Sequence, residues 1–325
     1  MLAAIQDSRI QRIITHPDDS GAEWKRDLAR FESGDVTLTR FSAGESTIKA
    51  VQRLLIFLGY STSSTGAFAI DGDFGRGTNR AVAQFQFDHG LNNAIKRSML
   101  CYDCNWQNAS RNIVAIPDTK LTVKTLEKML EVALQMINTN QVMCGHFEEA
   151  LFHLNSLHMN KFYSCRQILH RYGALVDKAV KTVRDQQGVV VQPEWVLAIM
   201  KQETAGVVRP RFEQHYLTRL NNLSPNANLV ELRFQSMSFG LGQIMGANYK
   251  RVGAASARSM FTSGIDQQAL FVARFLTSKR SEVGKKNPSD QDFHSIARFY
   301  NGPAYASHHY NEKIATWFKE FQTMM

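Results

Sequence analysis

Long apolar segments are absent from this chain of 325 residues. A membrane-spanning helix needs about 18 or more consecutive apolar residues, and no run in the sequence reaches that length. The N-terminus, MLAAIQDSRIQRII, also lacks the basic start and long apolar stretch of a secretory signal. We therefore expect no transmembrane helix and synthesis in the cytoplasm without a signal peptide, so that a substrate outside the cell requires a separate delivery route.

Cysteine is scarce, with only Cys101, Cys104, Cys144 and Cys165 in the sequence. Cys101-x-x-Cys104 has the spacing of half a zinc site, for which Cys144 and His146 would supply the other half. However, a Cys-x-His pair is not a standard second half, and the gap between the pairs is long. No His-Glu-x-x-His helix of a metalloprotease occurs either. We predict reduced thiols, no metal and no organic cofactor.

Internal repeats and low-complexity segments are also absent. The apolar share of 44% and the charged share of 21% are ordinary for a globular protein, and the length suggests two domains. The net charge of +9 favours a polyanionic partner, such as nucleic acid, a membrane surface or an acidic cell envelope. Because no helix-turn-helix, stacking platform or basic stripe is recognisable, we predict no nucleic-acid partner.

Three helices are indicated in the first half of the chain. Residues 46–59 have one apolar stripe, formed by Ile48, Val51, Leu54, Leu55 and Leu58. A second helix is predicted from Thr78 to His89, after a turn-rich loop, and a third starts at Thr122. Further along, residues 145–187 are predicted to be helical, with interruptions near Asn160 and Gly173.

The loop and second helix contain a recognisable motif, D-G-D-F-G-x-x-T-x-x-A-V-x-x-F-Q, at residues 71–86. It resembles the signature of the peptidoglycan-binding domain, a three-helix module, over about residues 44–137 with an insertion at 91–119. The resemblance implies wall binding, with Asp71 and Asp73 as candidate contacts. Alternatively, these two side chains only hydrogen-bond their own loop backbone.

A carboxylate ends an apolar stripe in the second half of the chain. Pro193 suits the first turn of a helix whose one face carries Val196, Ile199, Met200 and Glu203. Desolvation at the end of this stripe is expected to raise the pKa of Glu203. A protonated carboxylic acid is what glycosidic-bond cleavage requires. The alternative is an ordinary helix-end glutamate in solvent.

The run WVLAIMKQETAG (195–206) resembles the catalytic helix of lysozyme-like muramidases and lytic transglycosylases, with Thr204 where serine is commoner. Three later runs resemble further motifs of a phage-type N-acetylmuramidase family in the same order: RFEQH (211–215), SFGLGQIMG (238–246) and YNGPAY (300–305). The resemblance covers about residues 190–325 and implies that Glu203 is the catalytic acid. The candidate substrate-binding residues are Ser238, Phe239, Gly240, Gln243, Met245, Tyr249, Tyr300, Asn301 and Tyr305.

Glu213 is a candidate second carboxylate. Alternation in an extended RFEQHY segment places Arg211, Glu213 and His215 on one side. Glu213 then either stabilises a cationic sugar or positions water, or it forms a structural ion pair with Arg211 or Arg209. A lytic transglycosylase, which uses one glutamate and releases an anhydro sugar, stays open as the close alternative to a hydrolase.

Together these patterns predict a mainly α protein, with a three-helix peptidoglycan-binding module joined to an α-rich lysozyme-like domain that contains a small β element. The expected segments are 1–43, the binding domain 44–137, a helical connector 138–175 and the muramidase domain 176–325. This order resembles modular phage endolysins; an antibacterial toxin with the same chemistry is the alternative. We expect a monomer that acts on peptidoglycan in the periplasm or cell wall, with an anionic outer-membrane surface as a second candidate partner.

Overall fold

The computed structural model describes residues 3–33, 43–63, 69–92, 95–97, 113–115, 121–224 and 226–325. The chain forms two compact units. Unit 1 comprises residues 1–161 and 209–238, and unit 2 comprises residues 162–208 and 239–325. These units divide the chain differently from the predicted segments, because residues 138–161 and 209–238 belong to unit 1. In the described part of the chain, no helix is long and apolar enough to cross a membrane.

Helices dominate both units, and the predicted mainly α class is confirmed. In chain order the α-helices are α1 (Ser8–Ile14), α2 (Gly21–Glu32), α3 (Glu45–Phe57), α4 (Arg76–Asp88), α5 (Val123–Asn138), α6 (Phe147–His158), α7 (Cys165–Gln187), α8 (Pro193–Thr204), α9 (Gln214–Leu223), α10 (Leu229–Gln235), α11 (Ala257–Phe261), α12 (Ile265–Leu276), α13 (Arg280–Val283), α14 (Asp290–Asn301) and α15 (Tyr310–Met324). The short strands are β1 (Ile95–Arg97), β2 (Ile113–Ala115), β3 (Arg211–Phe212), β4 (Met237–Phe239) and β5 (Ile244–Met245).

The three predicted helices of the binding module are α3, α4 and α5. The apolar stripe of α3 is buried, and burial of such a stripe, rather than intrinsic propensity, stabilises most protein helices. The N-terminal helices pack on the same core: the Nε–H of Arg53 donates to the Ile13 carbonyl at 2.6 Å. Thr47 Oγ1 donates to Asp27 Oδ2 at 2.8 Å. Residues before 44 are therefore part of this unit, which the sequence patterns did not indicate.

The predicted interruption near Asn160 is present, because α6 ends at His158 and Asn160 has a positive φ of 49°. The interruption predicted at Gly173 is wrong, since α7 continues through it to Gln187. A glycine inside a helix costs about 1 kcal/mol relative to alanine. Burial of the face that carries Ile168, Tyr172 and Val176 offsets that cost.

The extended conformation predicted for RFEQHY is correct only for its first two residues. β3 pairs antiparallel with β4, with Arg211 opposite Ser238 and Phe212 opposite Met237. Glu213 is the N-cap residue of α9, which begins at Gln214. The alternation therefore stops at Glu213, since helical spacing replaces the strand period of two. Within the predicted insertion, β1 and β2 pair antiparallel, with Ile95 opposite Ala115.

Candidate active site

The candidate catalytic helix, α8, is built as its sequence predicts. Pro193 occupies its first turn, and the side chains of Val196, Ile199 and Met200 are fully buried. Glu203 is half-buried in the last turn. Ala205 adopts a left-handed conformation (φ 45°), which ends the helix directly after Thr204. The chain thus leaves the helix beside the carboxylate instead of continuing past it.

Tyr310, the first residue of α15, contacts the Glu203 carboxylate. Its hydroxyl donates a hydrogen bond to Glu203 Oε1 at 2.5 Å, and its side chain is buried. Burial, and then the negative charge of Glu203, raise the pKa of Tyr310 well above its usual value. Tyr310 therefore remains a protonated donor at neutral pH. It was not among the predicted site residues, although it follows the YNGPAY motif closely.

Tyr300 connects α14 to the glycine-rich segment. Its hydroxyl donates to the Gly242 carbonyl at 2.8 Å. Burial, followed by the charge of Glu203, raises the pKa of Tyr300 well above its usual value. The predicted site residue Tyr300 is thus brought into the electrostatic neighbourhood of Glu203, and its hydroxyl holds backbone of the SFGLGQIMG motif.

Thr204 connects α8 to the same segment from the other side. Its Oγ1 lies 3.0 Å from the Met200 carbonyl and 2.9 Å from the Leu241 carbonyl. The Gly206 amide donates to the same Oγ1 at 3.3 Å. Serine carries the same hydroxyl, so the replacement of the commoner serine by threonine keeps this contact.

Two glycines in the segment are required by packing. A Cβ at Gly242 would lie 2.4 Å from Val272 Cγ2 and 2.7 Å from the Tyr300 hydroxyl. Gly240 has a φ of 72°, and a Cβ there would lie 3.0 Å from Gln268 Oε1, which accepts from the Leu241 amide at 3.2 Å. A small pocket adjoins this segment, lined by Phe239, Gly240, Gly242, Ile244, Met260, Gln268 and Phe271.

The other predicted sugar contacts of the segment have mixed environments. Phe239 is buried, with its ring 5.9 Å from that of Phe261. Gln243 has a positive φ of 47°, and its side-chain amide donates to the Gly240 carbonyl at 3.1 Å. Met245 and Tyr249 are half-buried. The surroundings of Phe239 fit the packing alternative better than an open sugar-binding face.

The closing motif lies at the end of α14 and in the 3-10 helix that follows. Asn301 is exposed at the last position of α14. Tyr305 is half-buried, and its hydroxyl lies 3.0 Å from His294 Nδ1. Both side chains keep polar groups near the surface of unit 2, as a sugar contact requires.

Glu213 and Ser238 belong to unit 1. Glu213 is half-buried, and its Oε1 accepts from Arg211 Nε at 2.8 Å, while His215 Nδ1 lies 3.7 Å from Oε2. Burial lowers the pKa of the nearby Arg80 to about 10, and the charge of Glu213 opposes that shift. The ion pair with Arg211, one of the two alternatives, is thus formed. Ser238 is buried in β4.

The candidate wall contacts lie in a loop that is organised by Gln52. The side-chain amide of Gln52 donates to Asp71 Oδ1 at 2.7 Å and to the Asp73 carbonyl at 3.0 Å. Asp71 Oδ1 also accepts from the Asp73 amide at 2.9 Å. Asp71 therefore has the loop-forming role that was its alternative, although both aspartates are exposed.

The predicted absence of zinc stays a prediction, because Cys101 and Cys104 lie outside the described residues. Cys144 and Cys165 are buried thiols. Burial, followed by the charge of Glu320, raises the pKa of Cys165 to about 12, so this thiol is unreactive at neutral pH. Within the described ranges, no cluster of three or more histidine, cysteine, aspartate or glutamate side chains has a metal-binding arrangement.

Comparison with known proteins places two families along the chain. Residues 44–93 match the putative peptidoglycan-binding domain, and residues 229–322 match the N-acetylmuramidase family. No curated protein matches the chain. The crystal structure of the Burkholderia AP3 phage endolysin is 17% identical and covers 89% of this chain and 98% of its own, with a TM-score of 0.36. That likeness is too weak to support a conclusion.

The two family matches confirm the predicted modular endolysin arrangement, in which a peptidoglycan-binding domain precedes a muramidase domain. They support peptidoglycan as the substrate and glycoside hydrolysis as the class of reaction. The N-acetylmuramidase match begins at Leu229, so it includes α10 of unit 1 as well as most of unit 2, and it begins after α8.

Proposed function

We propose that this chain cleaves the β-1,4 bond between N-acetylmuramic acid and N-acetylglucosamine in peptidoglycan, with Glu203 as the general acid. The observation that carries the proposal is the hydrogen bond from the buried Tyr310 hydroxyl to the half-buried Glu203 carboxylate. This carboxylate ends a helix whose residues 195–200 are all fully buried. A fixed, partly desolvated carboxyl group is suited to protonate a leaving oxygen.

In the proposed step, the protonated Glu203 transfers its proton to the glycosidic oxygen while the bond from that oxygen to C1 of N-acetylmuramic acid breaks. The N-acetylglucosamine hydroxyl departs, and positive charge develops on the muramic ring. Water then adds to C1 and gives up a proton, which restores the protonated form of Glu203, and the product is a reducing N-acetylmuramic acid. In a lytic transglycosylase, the sugar's own 6-hydroxyl adds to C1 and gives a 1,6-anhydro end.

Glu213 is the proposed second carboxylate. A negative charge facing the cationic ring, or a base that activates water, favours hydrolysis over internal attack by the 6-hydroxyl. Its ion pair with Arg211 orients the Glu213 carboxylate. The same ion pair would also be present if Glu213 only stabilised the start of α9.

Substitution of Glu203 tests the acid. Glu203→Gln keeps the shape of the side chain and removes the proton that is transferred, so hydrolysis of glycan strands should fall by about a hundredfold or more. Glu312→Gln is the matched control, because Glu312 is exposed on α15. Retention of more than about a tenth of the wild-type rate by a folded Glu203→Gln protein would remove Glu203 as the acid.

The two roles of Glu213 are separated by comparing Glu213→Gln with Arg211→Gln. If Glu213 takes part in catalysis, turnover falls much more in Glu213→Gln than in Arg211→Gln. If the ion pair is only structural, both variants lose a similar, small amount of stability, since exposed pairs contribute about 0–1 kcal/mol, and turnover stays unchanged. That second result would end the catalytic role of Glu213.

The candidate sugar contacts differ in accessibility, and this ranks them for mutagenesis. Asn301→Ala and Tyr305→Phe are the first substitutions to make, because both residues have polar groups near the surface. A substrate contact predicts a raised KM for soluble glycan fragments without a loss of stability. Ser238, Phe239 and Gly240 are buried, so their substitution would mainly destabilise the fold.

The wall-binding role belongs to the module that contains α3, α4 and α5. Asp73→Ala should reduce sedimentation with purified cell walls if this carboxylate touches ligand, with folding unchanged. Asp71→Ala should instead destabilise the loop, because Gln52 and the Asp73 amide both bond Asp71 Oδ1. Wild-type sedimentation of a folded Asp73→Ala protein would exclude Asp73 as a wall contact.

An anionic outer-membrane surface is a proposed further partner, and its support is the distribution of charge. Unit 2 has 17 lysines and arginines against 10 aspartates and glutamates, a net charge of +7 out of the total of +9. The exposed Arg251 is held by Phe275 and Phe299, whose ring centroids lie 4.5 and 4.9 Å from its guanidinium carbon. Such a cation is pre-organised for phosphate.

Vesicles test this partner. Binding to vesicles that contain phosphatidylglycerol, absent for neutral vesicles and lost as salt rises, would support it. Arg251→Gln should weaken this binding, and equal binding to both vesicle types would exclude an anionic membrane surface as a partner.

Two delivery routes bring a cytoplasmic product to the periplasm or cell wall: release through a phage-encoded pore, and injection as an antibacterial toxin. Release through a pore agrees with the endolysin arrangement.

A further inference from the structure

The hydrogen bond between Tyr310 and Glu203 has a direction that matters for catalysis. The Tyr310 hydroxyl lies 2.5 Å from Glu203 Oε1. Among the described residues, this is the one hydrogen bond found for that hydroxyl, whose side chain is buried. Without another acceptor, the tyrosine proton must point at Oε1, and leaving it unpaired in a buried position would cost about 1–3 kcal/mol.

This direction determines which oxygen of Glu203 carries the catalytic proton. We propose that Tyr310 is a positioning residue that keeps Oε1 of Glu203 as a hydrogen-bond acceptor and thereby confines the transferable proton to Oε2. The inference rests on the proposed role of Glu203 as the acid. If Oε1 carried the proton, that proton and the tyrosine proton would both lie between Oε1 and the Tyr310 oxygen, where only one fits. The carboxylic acid is therefore restricted to the tautomer that is protonated on Oε2.

Tyr310 is held in place by the packing of α15 on α8. Phe318 of α15 is buried against Trp195 of α8, with ring centroids 4.8 Å apart. The indole N–H of Trp317 donates to Gln202 Oε1 at 3.2 Å, one residue before the carboxylate. Two further contacts between the same helices thus fix the distance from Tyr310 to Glu203, so the hydrogen bond does not depend on a mobile side chain.

Titratable groups from three helices and from α8 itself face the region around the carboxylate. Tyr310 from α15 and Tyr300 from α14 are the groups whose pKa the charge of Glu203 raises. From α7, the Tyr172 hydroxyl donates to the Gly206 carbonyl at 2.9 Å. On α8 itself, Lys201 Nζ donates to the Tyr163 carbonyl at 2.7 Å. Tyr310 is a neutral donor in direct contact with Oε1 of Glu203.

The same hydrogen bond stabilises the product of proton transfer. When Oε2 gives up its proton, Glu203 becomes a carboxylate, and a donor on Oε1 favours that charged form. The bond should therefore strengthen as the glycosidic bond breaks, which lowers the barrier rather than tightening substrate binding. Removal of the hydroxyl should affect kcat and leave KM nearly unchanged.

The test uses the full-length protein and the substitution Tyr310→Phe, which removes the hydroxyl and keeps the ring. We expect kcat on soluble glycan fragments to fall about 10- to 100-fold with little change in KM. The basic limb of the kcat profile should move to higher pH, because a carboxylate without its donor holds its proton more tightly. Thr316→Ala, which removes an exposed hydroxyl from the same helix, should behave as wild type.

Two results would overturn the inference: wild-type kcat in Tyr310→Phe, or a lower kcat with the basic limb unmoved, which would mark a merely structural role. Tyr310→Ala separates the two effects, since loss of the ring lowers stability in addition to removing the donor. If Glu203→Gln remains active, the proposed function itself fails. If Glu203→Gln is inactive while Tyr310→Phe behaves as wild type, only the role of Tyr310 fails.

Discussion

Replacement of Thr204 by valine should loosen the connection between the catalytic helix and the glycine-rich segment. The Thr204 side chain is buried, and its Oγ1 lies 2.9 Å from the Leu241 carbonyl. Valine has nearly the same shape but places a methyl group where the hydroxyl was. The Leu241 carbonyl then loses its donor in a fully buried position, and the Gly206 amide loses its acceptor.

The size of the effect follows from these two groups. A buried polar group without a partner costs about 1–3 kcal/mol. The Gly206 bond is the longer one at 3.3 Å, so the Leu241 carbonyl dominates and we expect a total loss of about 2 kcal/mol. Thr204→Ser keeps the hydroxyl and removes one methyl group, so it should cost about 1 kcal/mol and keep the segment in place.

Urea unfolding followed by tryptophan fluorescence measures the stability, and the rate of glycan-strand cleavage measures the effect on the site. Thr204→Val should be less stable than Thr204→Ser and should cleave more slowly, because Gly242 and Leu241 lie in the segment that shifts. Equal stability and activity of the two variants would refute the reasoning. It would mean that the contacts of the Thr204 hydroxyl affect neither the stability of the fold nor the position of the glycine-rich segment.

Three further predictions concern stability. Arg233→Met should cost about 3–5 kcal/mol in urea unfolding, because it leaves the buried Asp88 without its ion-pair partner, whereas the double variant with Asp88→Asn should recover part of this loss. Desolvation lowers the pKa of His158 from its ordinary value of 6.5 to about 3, so below pH 6.5 the unfolded chain binds more protons than the folded chain. Stability should therefore fall from pH 6.5 towards pH 3, and the same acid-induced loss of stability in His158→Gln would contradict this. Gly242→Ala should cost about 1–3 kcal/mol and reduce turnover, because its Cβ would lie 2.4 Å from Val272, and a wild-type melting temperature would show that the segment can shift freely.

Local features of the fold followed from the sequence because they depend on neighbouring residues. The stripe of α3, the proline at the start of α8 and the carboxylate at its end are all set by helical spacing. Gly173 misled the prediction, because the intrinsic cost of a glycine is visible in the sequence, whereas the burial that offsets it is not.

The side chains that contact Glu203 could not be predicted from the sequence. Helical spacing indicates which face of a helix a residue lies on, but not which residue of another helix packs against it. Tyr310 reaches Glu203 from a helix that begins 107 residues later. The assignment of residues 209–238 to unit 1 is equally non-local, since it includes the buried pair of Arg233 and Asp88. For the same reason, deletion of residues 1–137 is a poor test of wall binding: it would expose Arg233 along with removing the binding module.

The composition of the cleavage products tests the central claim most directly. Purified peptidoglycan is digested with the full-length protein or with Glu203→Gln, and the released fragments are identified by mass spectrometry. We predict fragments that end in reducing N-acetylmuramic acid from the wild-type protein and none from Glu203→Gln. Products with only 1,6-anhydro ends would contradict hydrolysis, and N-acetylglucosamine reducing ends or freed peptides would contradict the proposed bond.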